Sequence, residues 1–191
     1  MKERFGKKFL DANGWKIGGA IPTAKKYVLI AAPHTSNWDF PFTIATAFAL
    51  DVNIRWLGKQ QLFDGPLGPL YRSLGGIPVD RSKNTNMVDR MAELFDEADE
   101  LVLTVPAEGT RGKREYWKSG FYHIAVRAKV PIALGYLDFG RKESGIGPLV
   151  YPTGNIRKDM DIIRAFYADK RGLKHELFTP PRLREEDESG G

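Results

Sequence analysis

Tyr27-Val28-Leu29-Ile30-Ala31-Ala32-Pro33-His34-Thr35-Ser36-Asn37-Trp38-Asp39 is the stretch on which the reading of this chain turns. Its first six residues are apolar, include β-branched Val28 and Ile30, and are too few for a typical helix. They predict a buried strand over 27–32. Phe40 through Leu50 predicts a helix opened by an acidic residue, Asp39, and by Pro41. A histidine therefore stands on the turn leaving a strand, with a carboxylate five residues later at the mouth of a helix. Two readings are open at this spacing. The turn folds back so that Asp39 fixes one ring nitrogen of His34 as a donor and leaves the other to accept a proton, or His34 is a surface histidine beside a helix-capping Asp.

Upstream, residues 3–13 predict an amphipathic helix ending at Asn13-Gly14, and Gly18-Gly19 with Pro22 predict a loop into the strand. Downstream, 53–58 reads as a strand delivering Lys59, and 64–70 is turn-rich and apolar, with a helical turn at 70–74. Gly75 through Arg81 predicts a brief strand. The periodicity of Met87, Val88, Met91, Leu94, Phe95 and Ala98 predicts a helix over 84–98. A buried strand at 101–105 runs into Glu108-Gly109-Thr110-Arg111. A helix over 118–129, an apolar strand at 132–137, a short strand at 148–151 and a helix over 158–169 complete the pattern.

Strands alternating with helices, most of them apolar on both faces, imply a single α/β domain with a mostly parallel sheet flanked by helices. Its expected divisions are a basic amphipathic segment over 1–22, the main domain over 23–179, and a charged, disordered tail over 180–191. In such sheets ligands bind at the carboxyl ends of the strands. His34, Lys59, Arg81 and the turn from Glu108 to Arg111 all follow predicted strands, so four strand exits bring a base, cations and an acid to one edge.

The 191 residues are 42% hydrophobic, enough for one sizeable core. Cysteine is absent, which excludes disulfides, thiol nucleophiles and Cys-based metal sites. Neither a signal peptide nor an apolar run of the roughly 20 residues that span a bilayer is present, so a cytoplasmic protein is expected. The net charge of +5 is confined to residues 1–27, where seven basic side chains face two acids; the remainder is neutral. Aromatic and aliphatic side chains interleave with these cations. Such a segment either lies on an anionic membrane, at on the order of 1 kcal/mol per nearby cation, or packs its apolar stripe on the core. Neutrality elsewhere argues against a nucleic-acid track.

A strand-exit histidine with an orienting carboxylate suits a general base for a hydroxyl, and Lys59, Arg81 and Arg111 suit a phosphate. The sequence has no G-x-S-x-G elbow, no H-E-x-x-H, no Walker loop and no G-x-G-x-x-G, so a serine hydrolase, a zinc site and a nucleotide cradle are not expected. His123 and His175 lack metal-like spacing and are expected to be non-catalytic.

The ordered set H-x4-D (His34 to Asp39), G-x-x-x-D-R (Gly76 to Arg81) and E-G-T-R (Glu108 to Arg111) resembles three of the four motif blocks of the glycerolipid acyltransferases, the lysophospholipid and 1-acylglycerol-3-phosphate acyltransferase superfamily. Val130-Pro131-Ile132-Ala133-Leu134 is similar to the fourth, and the resemblance covers roughly residues 14–170. It implies transfer of a fatty acyl group from an acyl thioester, acyl-CoA or acyl carrier protein (acyl-ACP), to a glycerolipid hydroxyl. By position it makes His34 the general base and Asp39 its orienter, and places Lys59, Gly76, Arg81, Glu108, Gly109, Thr110 and Arg111 in acceptor binding. It implies a lysolipid or lysophosphatidate acceptor, direct attack without an acyl-enzyme, and no metal or cofactor beyond the thioester co-substrate.

Three departures stand out. Ala107 replaces the usual proline before E-G-T-R, Leu134 replaces the last proline of the fourth block, and the family's hydrophobic N-terminal helices are missing. Membrane attachment is accordingly expected to be peripheral, through the basic N-terminus. Two rival readings are a thioesterase or lipid hydrolase on the same fold, and a catalytically silent lipid-binding membrane adaptor.

Overall fold

The computed structural model describes residues 1–79 and 86–188. Seven strands form one sheet in the order β1-β7-β6-β2-β5-β3-β4. These are β1 (Lys16–Gly19), β2 (Lys26–Ala32), β3 (Ile54–Lys59), β4 (Gly76–Val79), β5 (Leu101–Val105), β6 (Ile132–Asp138) and β7 (Glu143–Val150). β2 to β6 are mutually parallel; β7 is antiparallel to β6, and β1 is parallel to β7.

β2 lies between β5 and β6, and its sequence shows why it is central. Val28, Ile30 and Ala32 point into one core layer while Tyr27 and Leu29 point into the other, so both faces are covered. The first layer packs the sheet against α5 (Met87–Glu97), α6 (Gly120–Ala128) and α7 (Ile156–Tyr167), through Met91, Phe95, Phe121, Ile124, Met160 and Ile163. The opposite face carries α2 (Asp39–Ala49), through Ile44 and Ala47, and a short hairpin of α3 (Gln60–Asp64) and α4 (Gly68–Ser73). Phe63 of α3 is buried against Gly58, Trp56 and Gly76.

Several elements differ from the expectations. Gly18-Gly19, expected as a loop, belongs to β1: a side chain on Gly18 would collide with Tyr136 and Glu143, so the glycine admits the close approach of strands. β7 begins five residues before the expected 148–151, because Gly145, Gly147 and Pro148 blur the period-2 pattern. The division at residue 22 dissolves. α1 (Lys2–Ala12) lies on α2, with Gly6 set directly against the Ala45 and Ala49 backbone and Leu10 buried beside Trp15 and Phe42. The expected tail from Pro180 is part of the body through residue 188. Leu183 is fully buried, Glu186 pairs with Arg164 at 2.5 Å, and α8 spans Glu185–Glu188. Among the described residues, no helix is long and apolar enough to cross a membrane.

Candidate active site

Because β2 and β5 are parallel with Ile30 opposite Val105, their exits run side by side, and His34 and Glu108 arrive within a few residues of those exits together. The backbone N–H of His34 donates to Glu108 Oε1 at 2.5 Å. Glu108 Oε2 accepts from the N–H of Thr179 at 3.3 Å. The carboxyl is 1% exposed, and burial, the dominant influence on it, pushes its pKa up to about 7.

The turn after His34 closes on Asp39. Asp39 Oδ2 accepts the N–H groups of Thr35 and Ser36 at 2.7 and 2.8 Å and lies 3.2 Å from His34 Nδ1. Three short-range donors therefore converge on one oxygen of a carboxylate whose side chain is 3% exposed, at the first residue of α2, where a negative charge faces the helix N-terminus. With Nδ1–H held in this way, the neutral imidazole presents Nε2 as an acceptor. The His34 side chain is 22% exposed, and among the described residues nothing hydrogen-bonds its Nε2.

Gly109 sits at φ 71°, and a side chain there would press on the Lys118 stem, so this position of the turn suits glycine. Thr110 and Arg111 follow on the same turn; Arg111 is exposed and, among the described residues, has no ion-pair partner. Lys59 is exposed at the exit of β3, at the same carboxyl edge. The structure does not bring Gly76 to that edge. It opens β4 at the opposite end, opposite Trp56, and its missing Cβ makes room for the Phe63 ring and the Tyr71 carbonyl. Arg81 lies outside the described residues.

The strand-by-strand reading missed the segment that closes the site, residues 171–179. Lys174 N–H donates to Thr35 Oγ1 at 3.2 Å, and Gly172 lies against the Thr35 side chain. Thr179 is fully buried. Besides meeting Glu108 it accepts the Arg114 N–H on Oγ1 and the Trp117 indole N–H on its carbonyl. Its only signal in sequence is the position just before Pro180-Pro181. His175 stacks on Phe178, and His123 lies 3.2 Å from Glu185 on an exposed surface. Among the described residues, no group of three or more His, Asp or Glu side chains is arranged to hold a metal ion.

A parallel sheet edge with an imidazole oriented by a buried carboxylate, and with exposed cations on the turns at the same edge, is suited to deprotonating a hydroxyl on an anionic substrate. The structure of 1-acyl-sn-glycerophosphate (LPA) acyltransferase, PlsC, from Thermotoga maritima is similar, with a TM-score of 0.61 at 19% sequence identity over 88% of this chain and 77% of that one. This likeness is one of fold. No curated protein matches the sequence. A family model described as Acyltransferase matches residues 17–133, which contain β2 to β5 and the H-x4-D, G-x-x-x-D-R and E-G-T-R blocks. That match spans more than half of the chain, and the chain therefore belongs to the acyltransferase family.

Proposed function

We propose that the protein transfers a fatty acyl group from an acyl thioester, acyl-CoA or acyl-ACP, to the hydroxyl of a lysolipid bearing a phosphate, such as a lysophosphatidate. The observation that carries this reading is the pairing of His34 Nδ1 with an Asp39 oxygen already fixed by two backbone N–H groups. In the proposed reaction Nε2 of His34 takes the acceptor hydroxyl proton as the oxygen attacks the thioester carbonyl. The tetrahedral intermediate then expels the thiolate, which takes that proton from the imidazolium. Asp39 stabilises the transient cation and keeps the ring in one tautomer. Arg111 and Lys59, with no ion-pair partner among the described residues, are cations available to an acceptor phosphate, and by its motif position Arg81 joins them in this reading.

Glu108 takes a positioning role in this reading. Both of its oxygens accept backbone N–H groups from His34 and Thr179, so in this reading it fixes the base-bearing turn and the closing segment rather than holding the acceptor. The N–H groups of His34, Thr35, Ser36 and Gly109 are all committed within the site, which leaves the oxyanion to other donors.

The test is to supply a labelled long-chain acyl thioester with a panel of lysolipids and follow the label. Label in a diacyl product supports transfer and identifies the acceptor. Label solely in free fatty acid, without dependence on an acceptor, would make the protein a hydrolase. No turnover with either donor would favour a lipid-binding adaptor.

A further inference from the structure

The α3–α4 hairpin presents an apolar outer surface. Leu62, Leu67 and Leu70 are 45%, 53% and 51% exposed, and Pro66 and Pro69 lie exposed between them. A single exposed leucine is ordinary, but three on one short hairpin form an apolar face. These leucines are not holding the hairpin down, because Phe63 already anchors it from beneath at 3% exposure. The hairpin's two charged side chains are exposed but locally engaged: Asp64 accepts from Gln60, and Arg72 donates to the Phe63 carbonyl and lies over the Phe63 ring.

This face adjoins the active site. Trp38, 61% exposed, stands four residues from His34 at the start of α2. Two residues further, Phe40 packs its ring edge-on to Trp56 at 4.8 Å and to Tyr71 of α4 at 6.2 Å, so the first turn of α2 and the hairpin share one aromatic cluster. The loops around the site are cationic. Residues 109–118 hold four basic side chains against Glu115, and 171–176 hold two against Glu176, Lys170 being drawn in to Asp169 at 2.7 Å. An apolar centre beside a cationic surround is complementary to a bilayer surface, where anionic headgroups overlie hydrocarbon.

We propose that the α3–α4 hairpin and Trp38 dock on an anionic lipid bilayer and seat the mouth of the active site on it. The choice of a bilayer as occupant rests on the lipid-acceptor reading above. The basic N-terminus is placed differently. α1 runs antiparallel to α2, with Phe9 beside Phe42 but Lys2 beside Phe48 near the far end of α2, so its first cations lie away from the carboxyl edge.

Trp38 supplies the probe. Trp15 and Trp117 are 5% and 3% exposed and Trp56 is half-buried, so contact with lipid is read at Trp38. Full-length protein is mixed with phosphatidylcholine vesicles containing phosphatidylglycerol, with and without brominated acyl chains. The proposal expects a blue-shifted emission quenched by brominated lipid, both lost in Trp38→Phe. Leu67→Asp combined with Leu70→Asp should weaken vesicle binding at least tenfold with an unchanged thermal unfolding profile. Absence of quenching in the wild type overturns the proposal whether or not the double variant folds. Unchanged binding by the double variant, with binding lost instead in Lys2→Glu/Lys7→Glu/Lys8→Glu, also overturns it. So does binding to an acidic carrier protein but not to vesicles. None of these readouts needs turnover, so a protein that docks on vesicles but transfers no acyl group would defeat the acyl-transfer reading and leave the docking surface standing.

Discussion

The backbone N–H of His34 donates to the Glu108 carboxyl at 2.5 Å across 74 residues of sequence, tying the turn that carries the imidazole to the turn that carries Thr110 and Arg111. Through its other oxygen Glu108 also holds Thr179, so three separated segments meet on one buried side chain.

Glu108→Ala removes the acceptor for two N–H groups at once. A buried donor left unsatisfied costs about 1–3 kcal/mol. The variant should therefore unfold at lower urea than the wild type at pH 6 and should lose kcat, because His34 is no longer held in place. Wild-type stability together with wild-type kcat would contradict the positioning role.

The same carboxyl makes stability depend on pH. Burial lifts its pKa from the ordinary 4.5 to about 7 in the folded protein. Between those values the folded chain keeps a proton that the unfolded chain has released, so stability falls as pH rises through this window. The penalty is absent below the unfolded value and complete above about 7, where it amounts to about 3 kcal/mol. Denaturation curves at pH 5 and pH 8 should show the wild type losing stability relative to Glu108→Gln as pH rises. Parallel behaviour of the two proteins would show that Glu108 does not titrate in this range.

Arg111→Ala should raise the KM for a phosphate-bearing acceptor by about tenfold or more, the scale of a charge-assisted hydrogen bond, with little change in kcat. A monoacylglycerol without phosphate, assayed alongside, should be unaffected. Equal effects on both acceptors would remove the phosphate from the role of Arg111.

Leu183→Ala tests whether the C-terminal segment belongs to the core. The side chain is fully buried, and truncating such a leucine costs about 2–5 kcal/mol. A change in unfolding free energy near zero would mean that residues 180–188 contribute nothing to the fold.

What was legible in the sequence follows from how locally each feature is specified. β2 could be read because Tyr27 to Ala32 is apolar on both faces, and α5 because its apolar period is unbroken. The His34–Asp39 pairing was legible as a possibility because a turn of five residues can close on itself. The Glu108 contacts were not, because they depend on the register of β2 against β5 and on a segment 71 residues further along. β1 was hidden for a different reason: its Gly18-Gly19 carries loop chemistry, and the need for glycine comes from Tyr136 and Glu143 on strands far away in sequence. The tail reads as disordered because its charges dominate its composition, yet Leu183, the Glu186–Arg164 pair and hydrogen bonds from Trp117, Arg157 and Arg164 to its carbonyls bind it to the body.

The measurement closest to the central claim is the rate of acyl transfer from a labelled thioester to lysophosphatidate by wild type and by His34→Ala, with unfolding curves for both. A positioned general base is worth roughly 10²–10⁴-fold, so a loss of that size is expected in a variant that remains folded. A folded His34→Ala protein transferring acyl groups at more than about half the wild-type rate would contradict it, since no base contribution of that magnitude could then reside at His34.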